Sequence, residues 1–68
     1  MRHKYEFDSY HIADLIDESR MLHYEIADAI DMKFWSFSDR YVGRVKWRKC
    51  ELKRLAPVIG CTLADLMR

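Results

Sequence analysis

The segment between residues 23 and 43 constrains the fold of this chain more than any other stretch. It contains two short amphipathic stretches joined by a tight turn, and one of only two glycines in the chain, Gly43, closes it. Ala27 is small enough to let two crossing helices touch. The spacing therefore predicts two short helices that pack together across the turn. Their inward-facing residues are predicted to be Ile26, Ala27, Ile30 and Phe37.

Two helices joined in this way make a helix-turn-helix, which presents its second helix to a groove of DNA. The whole chain has 68 residues, of which 50% are apolar and 34% are charged. These fractions are ordinary for one compact domain. A domain of this size buries only about 60% of its unfolded surface, so its core is thin and leaves no room for a separate catalytic domain.

The helices of this unit are expected over residues 23–30 and 33–42. Gly43 then occupies the position after a helix end that needs a left-handed backbone. An earlier helix is expected to begin at Asp8 or Ser9, because either side chain can cap it. The inward stripe of that first helix is Ile12, Leu15, Ile16 and Ser19.

Two more helices are expected after the unit. Pro57 removes a backbone donor late in the fourth helix, which predicts a kink or an early end there. Thr62 and Asp65 form a capping-box pattern that begins a fifth helix. We therefore expect an all-α fold of five short helices over residues 9–68, preceded by an N-terminal arm over residues 1–8. The apolar stripe of the fourth helix is Leu52, Leu55, Ala56 and Ile59.

The net charge is only +1, but the charges are unevenly distributed. Between Glu6 and Asp31 there are eight acidic residues and one basic residue, whereas between Arg40 and Arg54 there are seven basic residues and one acidic residue, Glu51. Such a chain can offer a basic edge to phosphates or an acidic side to a basic protein. Intramolecular salt bridges between the two halves are the third interpretation.

The residues that could carry catalysis or bind a metal show no suitable pattern. Cys50 and Cys61 form no C-x-x-C pair, and no signal peptide is recognisable, so we expect reduced, semi-buried thiols in a cytoplasmic protein. No apolar run approaches the roughly 20 residues of a membrane helix. We expect no enzymatic activity, no metal and no cofactor. The histidines lack metal-ligand spacing, and they are His3, His11 and His23.

Five sequence words stand in register along most of the chain. They are Ile12 to Met21, Glu25-Ile26-Ala27, Phe37-Ser38, Gly43, and the closing pattern of Leu52, Leu55-Ala56 and Ile59 to Leu66. Together they resemble the Cro/CI-type helix-turn-helix family of phage and bacterial repressors, over nearly all of residues 12–67. The resemblance implies a five-helix domain that controls transcription in a phage or prophage lysis–lysogeny switch.

The chain departs from the family pattern at framework positions. Asp31 stands where the turn usually carries glycine, and Leu22 stands where a serine or threonine usually caps the second helix. His23 replaces a glutamine that contacts phosphate, and it can still donate a hydrogen bond. Ile16 and Tyr41 occupy the positions of a family arginine–glutamate pair, which predicts that packing has replaced a buried ion pair.

The resemblance assigns base-facing positions to the third helix, and their residue types are unusual. Phe34 and Trp35 can contact thymine methyl groups, and because neighbouring helical residues cannot both point inward, at least one of them is expected to be exposed. Asp39 would be repelled by phosphate unless it pairs with Arg40 or with a cytosine amine. Double-stranded operator DNA is the expected partner of the third helix and the following basic loop. The predicted DNA-binding residues are His23, Lys33, Phe34, Trp35, Ser36, Asp39, Arg40, Arg44, Lys46 and Arg48.

Exposed aromatic residues beside acidic ones also favour a protein interface. The chain is similar in this respect to the modulator-of-repression proteins of temperate phages, antirepressors that dock on a repressor. In this alternative the partner is the basic DNA-reading face of a CI-type repressor. The predicted partner-binding residues are Asp28, Asp31, Phe34, Trp35 and Asp39.

Trp47 lies within the basic stretch after Gly43. It is interpreted either as a hydrophobic anchor that seats this stretch on the core or as a dimer contact with Leu63 and Met67. Members of the family commonly pair on two-fold DNA sites. We therefore expect a weak homodimer that strengthens on DNA.

Overall fold

The computed structural model describes residues 7–68 and shows five short helices, with no strand in that range. This confirms the all-α fold, and the arrangement is compatible with a helix-turn-helix domain. The helices that form the predicted unit end within one residue of their expected bounds. The elements are α1 (Ser9–Glu18), α2 (His23–Ala29), α3 (Phe34–Tyr41), α4 (Lys49–Ile59) and α5 (Leu63–Leu66).

One hydrophobic core joins all five helices. Phe37 of α3 is its largest fully buried side chain, and it packs among residues that the helical spacing placed inward. Full burial of a side chain of this kind stabilises the fold by roughly 1.5–3 kcal/mol. All four inward residues predicted for the segment 23–43 belong to the core. Its buried members are Ile12, Ile16, Ile26, Ala27, Ile30, Phe37, Trp47, Leu52, Leu55, Ala56 and Leu66.

The start of α1 confirms one of the two expected caps. The carboxylate of Asp8 accepts hydrogen bonds from the backbone N–H groups of Tyr10, at 3.0 Å, and His11, at 3.3 Å. Phe7, the residue before the cap, packs against the core. The first six residues of the predicted N-terminal arm lie outside the described residues.

The turn between α2 and α3 has a left-handed backbone at Asp31, the position where the resembled family usually has glycine. Asp31 adopts a left-handed conformation with φ of 59°, which aspartate tolerates better than most residues because its short side chain can bond locally. The N–H of Met32 closes the turn by donating to the carbonyl of Ala27 at 2.8 Å. Arg20, after α1, also has a positive φ of 61°, which the sequence did not predict.

The start of α2 lacks a side-chain cap, as the presence of Leu22 implies. Instead the carboxylate of Glu25 reaches back and accepts a hydrogen bond from the N–H of Leu22 at 3.0 Å. This is half of a capping box, because a leucine side chain has no acceptor to complete it. The N-terminus of α2 is thus held by an acid in its first turn.

Of the two effects expected at Pro57, a kink or an early end, the early end is not observed, because α4 continues for two residues beyond the proline. A proline at this position removes the hydrogen bond to the carbonyl of residue 53, and its ring crowds that carbonyl. Lys53 and Pro57 are both exposed, so water can reach that carbonyl. The helix ends at Gly60, which has the left-handed φ of 81° expected after a helix.

None of the helices between residues 7 and 68 combines the length and the hydrophobicity needed to cross a membrane.

Candidate nucleic-acid interface

The outward side of α3 begins with two exposed aromatic rings. Phe34 is 40% exposed and Trp35 is 75% exposed, so the expectation that at least one of them is exposed is confirmed for both. The two rings meet edge to face, with their centroids 5.4 Å apart. Phe37, one helical turn further, points into the core and fixes the rotation of the helix about its axis. The first turn of α3 therefore presents an apolar surface to solvent.

Arg40 was predicted to bind DNA, but the structure turns its side chain toward α4. Its Nε donates to the carboxylate of Glu51 at 3.0 Å, and its Nη1 donates to the carbonyl of Ser36 at 3.0 Å. The side chains of the pair are only 14% and 9% exposed. Because Phe37 points inward, a residue three positions later lies on the side of α3 that faces α4. The guanidinium consequently ties α3 to α4.

Asp39 pairs with Arg44 and not with Arg40. The Nη1 of Arg44 lies 2.9 Å from the carboxylate of Asp39. The backbone N–H groups of Arg44 and Val45 both donate to the carbonyl of Asp39, at 2.8 and 3.1 Å. The chain after Gly43 therefore folds back against the C-terminal end of α3. The acidic charge on α3 is compensated within the same segment.

Residues 44–49 form an exposed basic segment that a buried tryptophan anchors. Trp47 is 3% exposed and meets the ring of Phe37 edge to face at 6.0 Å, which confirms the interpretation of Trp47 as a hydrophobic anchor. A dimer contact through this side chain is contradicted by its burial. Its Nε1 is buried, and no group within residues 7–68 accepts a hydrogen bond from it. The exposed cationic residues of the segment are Arg44, Lys46, Arg48 and Lys49.

His23 packs at the first position of α2. Its half-buried ring lies 5.3 Å from the ring of Phe37 and 4.4 Å from the ring of Tyr41, measured between centroids. The imidazole thus seals the junction of α2 and α3. Ser36, another predicted DNA contact, is half-buried in the first turn of α3, whereas Lys33 is exposed immediately before that turn.

Tyr41 retains a polar connection between α1 and α3. Ile16 is fully buried, as expected, but the hydroxyl of Tyr41 donates a hydrogen bond to the carboxylate of Asp17 at 2.8 Å. That hydrogen bond raises the pKa of Tyr41, with smaller contributions from burial and from the charges of Asp17 and Asp14. The expected apolar packing is therefore seen at Ile16, whereas Tyr41 keeps a polar contact.

Two exposed acidic side chains precede the aromatic pair in the chain. Asp28, near the end of α2, and Asp31, in the turn, are exposed. No described residue forms an ion pair with either of them in the structure. The face formed by α2 and the turn is thus acidic, while the far end of α3 is basic.

The thiols and the histidine of α1 take no part in this surface. Cys50 is exposed, which corrects the expectation of a semi-buried thiol, whereas Cys61 is half-buried and burial raises its pKa, followed by the charge of Asp65. The Nε2 of His11 lies 2.6 Å from the carbonyl of Asp65, so His11 packs α1 against α5. Within residues 7–68 no group of three or more His, Cys, Asp or Glu side chains could hold a metal ion.

Glu51 is a residue of the candidate interface that was not predicted from the sequence. It is 7% exposed, and its carboxylate accepts hydrogen bonds from the N–H of Arg48 at 2.9 Å and from Arg40. The sequence contains a sign of this role. Glu51 is the one acid among seven bases between residues 40 and 54, and it stands three residues after Arg48, the spacing of a capping box. It holds the beginning of α4 beside α3.

Comparisons with known proteins give no match: no family model, no curated protein and no solved structure is significantly similar to this chain.

Proposed function

We propose that this chain is a Cro/CI-type helix-turn-helix protein that binds double-stranded operator DNA and regulates transcription in a phage or prophage switch. The observation that carries the proposal is the placement of the basic segment 44–49. The Asp39–Arg44 contacts hold the start of this segment against the end of α3. A helix that fits the major groove is thus followed directly by exposed cations that can reach phosphates.

The proposed binding mode divides these residues by their chemistry. The first turn of α3, with Lys33, Phe34 and Trp35, faces base edges in the major groove. Arg44 and Arg48 bind phosphate oxygens, as does the exposed Lys46, and such contacts position a protein on duplex DNA without selecting its sequence. An α-helix with its side chains is about 10–12 Å across, so α3 fits a major groove that is about 12 Å wide.

A salt titration tests this function. We expect the affinity for a fluorescent 24-base-pair duplex, measured by anisotropy, to fall steeply as salt increases, because bound phosphates release counterions. Arg48→Gln should lower the slope of log affinity against log salt by about one. It leaves the backbone contact to Glu51 in place. Arg68→Gln, an equal charge change at an exposed position, should leave the slope unchanged. Binding that is absent or independent of salt contradicts the proposal.

A second candidate function is docking on a basic protein, such as the DNA-reading face of a CI-type repressor. The observation that favours it is the 75% exposure of Trp35, together with the exposure of the acids Asp28 and Asp31 in the preceding helix and turn. Large aromatic side chains surrounded by polar residues are typical of interface hot spots. In this mode the chain would act as an antirepressor.

One double variant separates the two functions. Asp28→Asn/Asp31→Asn should weaken binding to a repressor in a pull-down or calorimetric titration, since it removes the charges that attract a basic partner. The same variant should strengthen binding to duplex DNA, since both charges repel phosphate. A repressor that binds the variant and the unmodified chain equally well contradicts docking through this acidic face.

The proposed DNA complex also carries an expectation about assembly. Family resemblance implies pairing on two-fold sites about one helical turn apart. We propose a weak homodimer that strengthens on DNA. Sedimentation of the chain with and without an operator duplex measures this, and a stoichiometry of one chain per duplex at saturation contradicts it.

A further inference from the structure

We propose that α3 selects thymine by apolar contact between the Phe34–Trp35 pair and the thymine C5 methyl group, without bidentate hydrogen bonds from a side chain to the base. This inference rests on the proposed DNA-binding function and specifies which base chemistry the same site reads. It follows from which side chains of α3 the structure leaves available, and from where those side chains stand.

The guanidinium group of α3, the kind of group that usually reads guanine, is engaged within the fold. Bidentate contact of arginine with guanine is the commonest specific contact in the major groove. Arg40, the one arginine of α3, is committed to Glu51 and to the carbonyl of Ser36. Arg44 follows the helix and is paired with Asp39. No arginine of α3 is therefore presented to base edges.

The remaining polar groups on α3 are poorly suited to read a base pair. The carboxylate of Asp39 already accepts a hydrogen bond from Arg44. Ser36 is half-buried and short, and a hydroxyl can bond to either kind of base edge. Lys33 is exposed, but it supplies a flexible point charge and not a planar fork. Hydrogen bonding from this helix consequently discriminates weakly between base pairs.

The aromatic pair occupies the position from which bases are read. In helix-turn-helix proteins the N-terminal residues of the second helix contact base edges, and Phe34 and Trp35 are the first two residues of α3. Their edge-to-face contact, with an angle of 76° between the rings, restricts both side chains. The pair thus offers a large apolar surface that changes little on binding.

Only one base of DNA presents an apolar group in the major groove. Thymine carries a C5 methyl there, and contact with apolar side chains is a known means of recognising it. Burying one such carbon contributes about fourfold in affinity. The exposed cations Lys33, just before α3, and Arg48, in the basic segment, supply the attraction to phosphate that an apolar surface lacks. The same surface should accept 5-methylcytosine, which carries its methyl group at the same ring position.

Replacing thymine by uracil tests the inference, because it removes the methyl group and leaves the hydrogen-bonding edge unchanged. A duplex would be enriched with the full chain from a random 24-base-pair pool, then synthesised with uracil at one thymine at a time. We expect a loss of about fourfold in affinity at one or more positions. The Trp35→Ala variant should bind the thymine duplex more weakly than the unmodified chain does. At the thymine positions where the unmodified chain loses affinity, this variant should bind the thymine and uracil duplexes equally. Tyr10→Ala, which removes an exposed aromatic ring from α1, should retain the full thymine preference.

Each outcome decides one question. Salt-dependent binding with equal affinity for thymine and uracil duplexes at every position overturns the inference and leaves the proposed DNA binding intact. If the pool yields no preferred sequence while binding remains salt-dependent, the inference is also overturned and the proposed DNA binding is left intact. Absence of salt-dependent binding to the pool overturns the proposed function and the inference with it. A thymine preference that persists in Trp35→Ala and in Phe34→Ala assigns the readout to other residues and also overturns the inference.

Discussion

The Nε of Arg40 donates a 3.0 Å hydrogen bond to the carboxylate of Glu51, and this pair joins α3 to α4 across a gap of eleven residues in the chain. Glu51 is buried, and Arg40 is half-buried. The same carboxylate also caps α4 through the N–H of Arg48. One acidic group therefore fixes the orientation of α3 and the start of the helix that follows the basic segment.

Removal of Glu51 should destabilise the domain severely. Glu51→Leu leaves the part-buried guanidinium of Arg40 without its counter-charge and the N–H of Arg48 without its acceptor, and together these losses cost about 3 kcal/mol. For a domain of this size the whole free energy of unfolding is roughly 3–10 kcal/mol. Urea unfolding followed by circular dichroism measures the loss. Glu51→Gln should cost less, since it keeps an acceptor for both hydrogen bonds.

The exposed pair provides the matched control. Asp39→Asn weakens the pairing with Arg44, whose side chain is 73% exposed, and exposed ion pairs contribute only about 0–1 kcal/mol. Equal destabilisation by Asp39→Asn and Glu51→Leu would contradict the structural role assigned to the buried pair.

Tyr41 makes stability depend on alkaline pH. Its hydrogen bond to Asp17 raises the pKa above the ordinary value of 10.0, so the folded state favours the neutral phenol. The resulting stability is fully present below pH 10 and is lost as the pH rises through the folded-state pKa. We expect Tyr41→Phe to reduce the free energy of unfolding by about 1 kcal/mol at pH 8.

That difference should shrink above pH 10, as measured by thermal unfolding of both proteins across the range. Tyr24→Phe, which changes an exposed tyrosine, serves as the control and should show the same small difference at every pH. A Tyr41→Phe difference that stays constant to pH 11 would show that the hydrogen bond to Asp17 is not stabilising.

The two glycines should respond differently to the same substitution. Both have a left-handed backbone, with φ of 86° at Gly43 and 81° at Gly60, so alanine costs about 1 kcal/mol at either position. At Gly43 an added Cβ would also lie 3.0 Å from the hydroxyl of Ser9, whereas at Gly60 it meets open space. We therefore expect Gly43→Ala to be the more destabilising change in thermal unfolding.

The difference can be assigned to one contact. Adding Ser9→Ala to Gly43→Ala removes the hydroxyl and should bring the cost of the glycine substitution down to that seen at Gly60. If the double variant recovers nothing, the close approach of Ser9 is not the source of the additional cost.

The two thiols should react at different rates. Cys50 is exposed, whereas Cys61 is half-buried and its pKa is raised by burial and by Asp65. Because the thiolate is the reactive form, a disulfide reagent at pH 8 should modify the chain in a fast phase and a slow phase. Cys50→Ser should abolish the fast phase and Cys61→Ser the slow one. A single phase of two thiols in the folded chain would contradict the difference in exposure.

The helical framework could be predicted from the sequence because each part of it depends on residues close together in the chain. The spacing of Ile26, Ile30 and Phe37 fixes which face of α2 and α3 is buried, and Gly43 supplies the left-handed backbone needed after a helix. Asp8 caps α1 through a side chain two and three residues away from its partners. Such interactions have few alternatives, since the geometry of a helix leaves little choice.

The candidate interface could be predicted only in outline. The exposure of Phe34 and Trp35 follows from helix periodicity, and Trp47 as an anchor follows from its single apolar ring in a basic segment. The partners of Arg40, Asp39 and Tyr41 do not follow in this way. Long or polar side chains reach several neighbours, and the packing of α3 against α1 and α2, with the position of Glu51 on α4, selects among them.

The sequence by itself thus determined the five helices, the turn and the inward faces of the 23–43 unit, because helix periodicity and backbone preference act over a few residues. Only the tertiary structure decided which charges remain available to a partner. It buried Arg40 against Glu51 and compensated Asp39 with Arg44. The physical reason is that the position of a charged group depends on where other helices bring a counter-charge and exclude water, and no local pattern records that.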